Sequence, residues 1–283
     1  MTVSILVPFR PERRNDVRIK HWRWIKQRWE HILPGVEIVE GTTSSVPFSK
    51  SQAINDAYRK SSGDILITAD ADTWIEREHI LHALDQASAI PHAVVPWTNC
   101  YRMTRTDSTE ICNSDPAGPF PVTQEMVSRI DDDAPPSPAS LAMVVVIQRR
   151  AFEAVGGMDP RFLGWGGEDT SFGLACWTLL GPTILLLGNA WSLYHARPKK
   201  HNTTRGEQRI WRDDVGDINF DLWQRYYDAK EKPATMTGIC GEHPLEGAVQ
   251  PIGQLLDSPY MIEGLITPDT VREPLTVDSH ITI

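Results

Sequence analysis

The chain has 283 residues, 41% hydrophobic and 23% charged, with a net charge of −9. This is the composition of an ordinary globular protein of one large domain, or one domain with an appendage, and it excludes low-complexity and fibrous classes. The acidic balance argues against a protein that wraps nucleic acid, and the longest apolar runs, 141–147 and 184–187, fall far short of the ~20 residues that span a bilayer.

Val3 to Val7 is an apolar run stopped by Pro8, which predicts a first buried strand and not a signal peptide. A basic loop follows, Phe9-Arg10-Pro11-Glu12-Arg13-Arg14. Ile19, Trp22, Ile25, Trp29 and Ile32 recur at spacings of three and four, so a helix comes next and ends at Pro34-Gly35. Val36 to Val39 reads as a second strand. Ser49-Lys-Ser-Gln52 has the form of a capping box and opens a helix with Ala53, Ile54, Ala57 and Tyr58 on one face. Ile65 to Ala69 is a third strand, Glu76 to Ala89 a helix and Ala93 to Trp97 a strand. Strands and helices alternating with short connections predict an α/β protein with a mainly parallel sheet covered by helices.

Residues 98–140 break this rhythm. They are rich in Thr, Ser, Asp and Pro and read as a long loop with a short helix over Val122 to Ile130. Ala142 to Ile147 is then a strand, Arg149 to Val155 a helix, Glu168 to Leu180 a helix, and Thr183 to Leu187 and Ala190 to Tyr194 strands. Thr203 to Lys230 reads as mostly helical. Beyond Pro233 periodicity is lost, so 232–283 is expected to be an irregular C-terminal extension of a domain spanning 1–231. Four cysteines without a Cys-x-x-Cys pair predict reduced thiols and a cytoplasmic setting.

Three motifs carry chemistry. Asp70 and Asp72 stand one residue apart at the end of the third strand, where α/β sheets bind ligands. Two acids so close repel unless a cation joins them, and Mn²⁺ or Mg²⁺ suits a site made of carboxylates and substrate phosphates. Gly164-Trp165-Gly166-Gly167-Glu168-Asp169 combines a glycine-rich turn, which permits close backbone approach, with two acids at a helix start. His195 ends a strand just before the basic residues Arg197, Lys199 and Lys200. Taken singly, each has a plain structural reading: a solvated acidic turn, helix-capping acids, a structural histidine.

As an ordered set, with Val-Pro-Phe-Arg after strand one and Val-Gly-Gly-Met-Asp-Pro-Arg-Phe before the glycine turn, the motifs resemble the GT-A fold nucleotide-sugar glycosyltransferases. The likeness is to family 2 enzymes and to the catalytic part of the β-1,4-galactosyltransferases, with features of the polypeptide N-acetylgalactosaminyltransferases, over residues 1–230. The resemblance implies a nucleotide-binding half at 1–97 and an acceptor and catalytic half at 98–231. It places the nucleotide against Pro8, Phe9, Arg10, Arg14 and Thr42, and makes Asp72 and His195 ligands of Mn²⁺ or Mg²⁺. Asp70 then contacts the ribose or a metal-bound water. Asp169 becomes the base and Glu168 a sugar or acceptor contact. Trp165 is a platform for a sugar ring, Gly166 and Gly167 are backbone donors, and Lys199 closes over the diphosphate.

The implied activity is metal-dependent, inverting transfer from a nucleoside-diphosphate sugar, a UDP-sugar by preference, to an acceptor hydroxyl. Thr170 and Ser171 stand where galactosyltransferases often carry further acids, so the acceptor contacts do not transfer. A retaining transferase, an acceptor that is a saccharide, glycolipid, protein or modified DNA base, and a non-catalytic nucleotide-sugar-binding protein remain alternatives at this point.

Overall fold

A computed structural model describes residues 1–11, 16–119, 127–130, 141–164, 166–195 and 216–249. The chain opens as expected: β1 (Val3–Pro8), α1 (Val17–Ile32), β2 (Glu37–Gly41), α2 (Lys50–Lys60) and β3 (Ile65–Ala69). β1 lies between β2 and β3 and is parallel to both, so the loops that leave all three strands emerge at one edge. β8 (Val144–Gln148) runs antiparallel to β3 and starts at that same edge. With β5 (Val94–Val95) and β9 (Ile184–Leu185) these strands form a sheet of order β2-β1-β3-β8-β5-β9.

The amphipathic patterns explain what covers this sheet. α1 buries Trp22, Trp24, Ile25, Trp29 and Ile32, and α2 buries Ala53, Ile54, Ala57 and Tyr58. Asp16 caps α1 through the Arg18 N–H, and Ser49 caps α2 through the Gln52 N–H at 3.2 Å. Gly41 is required where β2 meets α2, since a Cβ there would lie 1.8 Å from the Ala53 carbonyl oxygen. α3 (Arg77–Ala89) and α5 (Arg149–Ala154) complete the cover.

A second sheet, β4-β10-β6-β7, corrects the reading of 98–140 as one long loop. β6 (Asn99–Met103), α4 (Arg105–Ile111) and β7 (Val127–Ile130) lie inside that stretch, and 127–130 is a strand where a helix was expected. β7 pairs antiparallel with β6, so cross-strand partners outweigh the local helical pattern. β4 (Thr73–Ile75) pairs antiparallel with β10 (Asn189–Ser192), placing Thr73 opposite Ser192.

α6 (Glu168–Leu180) forms over the expected range, followed later by α7 (Gly216–Ala229). The expectation of an irregular tail from 232 is also corrected. Residues 233–241 form α8 (Pro233–Gly241), with Pro233 in the first turn, where proline is tolerated. α8 packs on α6 and α7 and buries Met236, Ile239 and Cys240. The four cysteines form no disulfide. Among the described residues no helix is long and apolar enough to cross a membrane.

Candidate active site

The topology gathers the acidic motifs at the edge where β1, β2 and β3 end. Asp70 to Asp72 leave β3 there, and the Asp70 N–H donates to the Met143 carbonyl at the start of β8 (2.9 Å). The β4–β10 ladder continues into the Leu193 N–H, which donates to the Asp72 carbonyl at 2.9 Å. That register carries His195, three residues past β10, to Asp72: His195 Nδ1 lies 2.5 Å from Asp72 Oδ2. Thr73 Oγ1 donates to the other Asp72 oxygen at 3.2 Å.

These contacts split the pair electrostatically. Burial opposes ionisation of Asp72, but the His195 hydrogen bond and charge hold its carboxyl below the ordinary range. The same hydrogen bond raises His195, against its own burial. His21 of α1 is 3% exposed nearby. Burial lowers its pKa against the pull of the Asp72 charge.

The second acid pair arrives with α6. Gly166 and Gly167 take positive φ values of 122° and 89°, conformations that favour glycine, and so turn the chain into the helix. Glu168 and Asp169 then sit in the first turn, where the helix dipole favours negative charge. The two pairs are joined by Lys50, the first residue of α2. Its Nζ lies 2.8 Å from Asp70 Oδ1 and 2.9 Å from Asp169 Oδ1. Burial disfavours this ammonium, but the charges of Asp169, Asp70 and Glu168 outweigh burial and raise its pKa. Glu168 is pushed up to about 7, by burial first and by Asp169 second. Burial also raises Asp169, and Lys50 holds it down against that trend.

The remaining expected residues divide as follows. Pro8 is buried at the end of β1, Phe9 is half-buried against Trp22, and Thr42 is exposed with its N–H on Asp56 Oδ2 (2.9 Å). Arg10, expected on the pyrophosphate, holds the neighbouring loop: Nη1 donates to the Thr43 and Ser45 carbonyls (2.6 and 2.8 Å) and its guanidinium lies over Phe48. Asp70, expected on ribose or water, faces Lys50. The Gly166 N–H, expected to face the sugar, donates to Glu168 Oε2 at 2.7 Å. Arg14, Trp165 and Lys199 lie outside the described residues.

Lys50 was missed in the sequence because it stood inside the capping-box motif, whose pattern rests on Ser49 and Gln52. The available signal was its place at the start of a helix that follows a parallel strand, which puts it at the ligand-binding edge. Gln52 likewise does not close the capping box. Its Nε2 donates to the Pro160 carbonyl (2.8 Å), and its Oε1 accepts from Thr43 and Ser45.

Among the described residues no group of three or more His, Cys, Asp or Glu side chains is assembled to hold a metal. The Asp72–His195 pair still fits Mn²⁺ or Mg²⁺ by its donor chemistry. A carboxylate oxygen and an imidazole nitrogen suit such a cation when phosphate and water complete the shell.

Two family models match the sequence. "Glycosyl transferase family 2" covers residues 39–131, and "N-terminal domain of galactosyltransferase" covers 135–177. The first contains Lys50, Asp70 and Asp72; the second contains Glu168 and Asp169. No curated protein matches. Among solved structures, the catalytic domain of Drosophila β1,4-galactosyltransferase 7 with xylobiose is 16% identical at a TM-score of 0.38, over 66% of this chain and 67% of that one. A mutant of that Drosophila enzyme with manganese, UDP-Gal and xylobiose is 13% identical at a TM-score of 0.38, over 65% and 64%. GalNAc-T7 with UDP, GalNAc and Mn²⁺ is 14% identical at a TM-score of 0.44, over 86% and 55%. This chain thus spans between 55% and 67% of the length of those structures. Both family models are of glycosyltransferases and each bears one of the acid pairs, which supports a glycosyltransferase enzyme on a mixed, mainly parallel sheet flanked by helices.

Proposed function

We propose that this enzyme is a metal-dependent, inverting glycosyltransferase that moves a sugar from a UDP-sugar to an acceptor hydroxyl. One observation carries the reading. The Asp72–His195 pair and the Glu168–Asp169 pair share one edge of the fold, tied together through Asp70 and Lys50. Residues 1–97 bring the nucleotide-facing loops, Lys50, Asp70 and Asp72, while 98–231 bring Asp169 and His195, in line with a nucleotide half and an acceptor half.

Asp72 and His195 would hold Mn²⁺ or Mg²⁺. When bound, the cation supplies Lewis-acid neutralisation of the leaving diphosphate. Asp169 takes the proton of the acceptor hydroxyl as its oxygen bonds to the anomeric carbon. The bond from that carbon to the diphosphate breaks on the opposite face, and the electron pair leaves with the diphosphate. Lys50, 2.9 Å away, opposes the effect of burial on Asp169 and favours its carboxylate form, the form a base needs. Lys50 also places a positive charge beside the acids at the edge where the donor would bind. Phe9 and Thr42, at the ends of β1 and β2, flank the space for the nucleotide, and Arg10 fixes the loop between them and α2.

The test is a thermal-shift screen of nucleotide sugars with and without Mn²⁺, since binding to the native state raises Tm with affinity and concentration. NMR of the product anomer follows for any donor turned over. A UDP-sugar shift that requires the metal, and a product of inverted configuration, support the proposal. A retained anomeric configuration removes the inverting assignment.

A further inference from the structure

We infer that Asn219, on α7, is a positioning residue that holds the glycine turn and thereby aims Glu168 and Asp169. The inference rests on the proposed chemistry only for what the aimed acids do.

Asn219 is 1% exposed. Its Oδ1 accepts from the Leu163 N–H at 3.2 Å, and its Nδ2 donates to the Leu163 carbonyl at 2.7 Å and to the Gly166 carbonyl at 3.2 Å. The carboxamide therefore pairs with Leu163 as a neighbouring strand would, then reaches on to the turn. Only a primary amide offers one acceptor and two donors in this layout. A carboxylate would face two carbonyls with no proton to give, and a methyl would leave buried backbone groups unpaired.

Gly166 is the link to the acids. Asn219 holds its carbonyl and Glu168 takes its N–H, so both polar groups of this residue are fixed from opposite sides. With positive φ and no side chain, Gly166 is oriented among the described residues by these two hydrogen bonds. The other flank of the strap is held by α2. Ser49 Oγ donates to the Phe162 carbonyl (2.7 Å), and Asn55 brackets Met158 through its N–H and carbonyl (3.1 and 2.7 Å). The strap of residues 158–164 and Gly166 is thus clamped between α2, which carries Lys50, and α7. Tyr226, seven residues and two turns along α7, donates to Asp159 Oδ2 at 3.1 Å and places a second fastening on the same helix face. α7 lies beyond both stretches matched by family models, which end at 177. The element that aims the acids is therefore outside the part that identifies the enzyme.

The experiment compares the full chain with Asn219→Asp, with Asn219→Ser as the milder change should the first not fold, and with Met236→Ala as a control. Met236 is buried in α8 and makes none of the hydrogen bonds to 158–166 described above. Hydrogen exchange of the 158–169 segment is followed together with turnover of a UDP-sugar in Mn²⁺. The expected result is faster exchange in 158–169 for the Asn219 variants only, with kcat down roughly 10- to 100-fold and donor KM within about threefold. Unchanged exchange and kcat in a folded Asn219 variant would overturn the inference, as would equal losses in Met236→Ala. If the wild-type protein turns over no donor, the proposed function falls while the exchange measurement still decides the role of Asn219.

Discussion

Lys50 Nζ stands 2.8 Å from Asp70 and 2.9 Å from Asp169, so a single half-buried ammonium joins the carboxylate that follows β3 to the one that opens α6. The two acids come from distant parts of the chain and from different family-model matches. Their charges are partly compensated before any ligand arrives.

Lys50→Met leaves Asp70, Glu168 and Asp169 without that compensation. Breaking a fully buried ion pair costs about 3–5 kcal/mol and an exposed one about 0–1, so this half-buried network falls between the two. The loss is expected in urea titrations at pH 8 and is smaller at pH 5, where protonation of the raised carboxyls relieves the repulsion. A uniform loss at both pH values would mean that packing, and not charge, is what Lys50 supplies.

Glu168 gives a pH prediction with a defined sign. Its folded pKa, about 7, lies above its ordinary value of 4.5. A carboxyl raised on folding contributes stability below pH 4.5 and loses it as pH rises through about 7. Glu168→Gln keeps an acceptor for the Gly166 N–H and cannot ionise. It should match the wild type near pH 4 and exceed it by about 3 kcal/mol above pH 8. Stability curves that run parallel across that window would refute the shift.

The Asp72–His195 pair predicts metal dependence. Mn²⁺ with UDP should raise Tm in the wild type, and chelator should reverse the rise. His195→Ala and Asp72→Ala should each remove most of the shift, while Asp70→Asn removes less because Asp70 faces Lys50. Equal loss in all three would place Asp70 on the metal instead.

At the far side of the strap, the Tyr226 hydroxyl meets Asp159 at 3.1 Å and His243 Nε2 at 2.8 Å in a buried site. Tyr226→Phe leaves those two groups short of a partner and should cost about 1–3 kcal/mol by urea unfolding. An unchanged midpoint would show that α7 and α8 are fastened elsewhere.

Local patterns disclosed most of the frame. The three-and-four spacing of Trp22, Ile25 and Trp29 fixed α1, which buries one face, and the unbroken run Ile65 to Ala69 fixed β3, which is buried along its whole length. The 98–140 stretch misled because β6 and β7 stabilise each other across the second sheet, a pairing that leaves no short-range period. α8 was hidden for a related reason: it buries residues against α6 and α7 without a strong polar face. In the site, Asp72, His195, Glu168 and Asp169 were legible from residue type and place. Lys50 and Asn219 were not, since their roles consist of contacts with groups 119 and 56 residues away. Arg10 was legible as an edge residue, but its two backbone carbonyl partners were not.

The central claim is that Asp169 removes the proton of the attacking hydroxyl beside a metal held by Asp72. Donor hydrolysis, in which water replaces the acceptor, tests it without knowledge of the acceptor. With a UDP-sugar and Mn²⁺, Asp169→Asn should lower kcat by roughly 10²- to 10⁴-fold with the fold intact, and Asp72→Ala should abolish the metal dependence. Hydrolysis that proceeds unchanged in both variants would contradict the account.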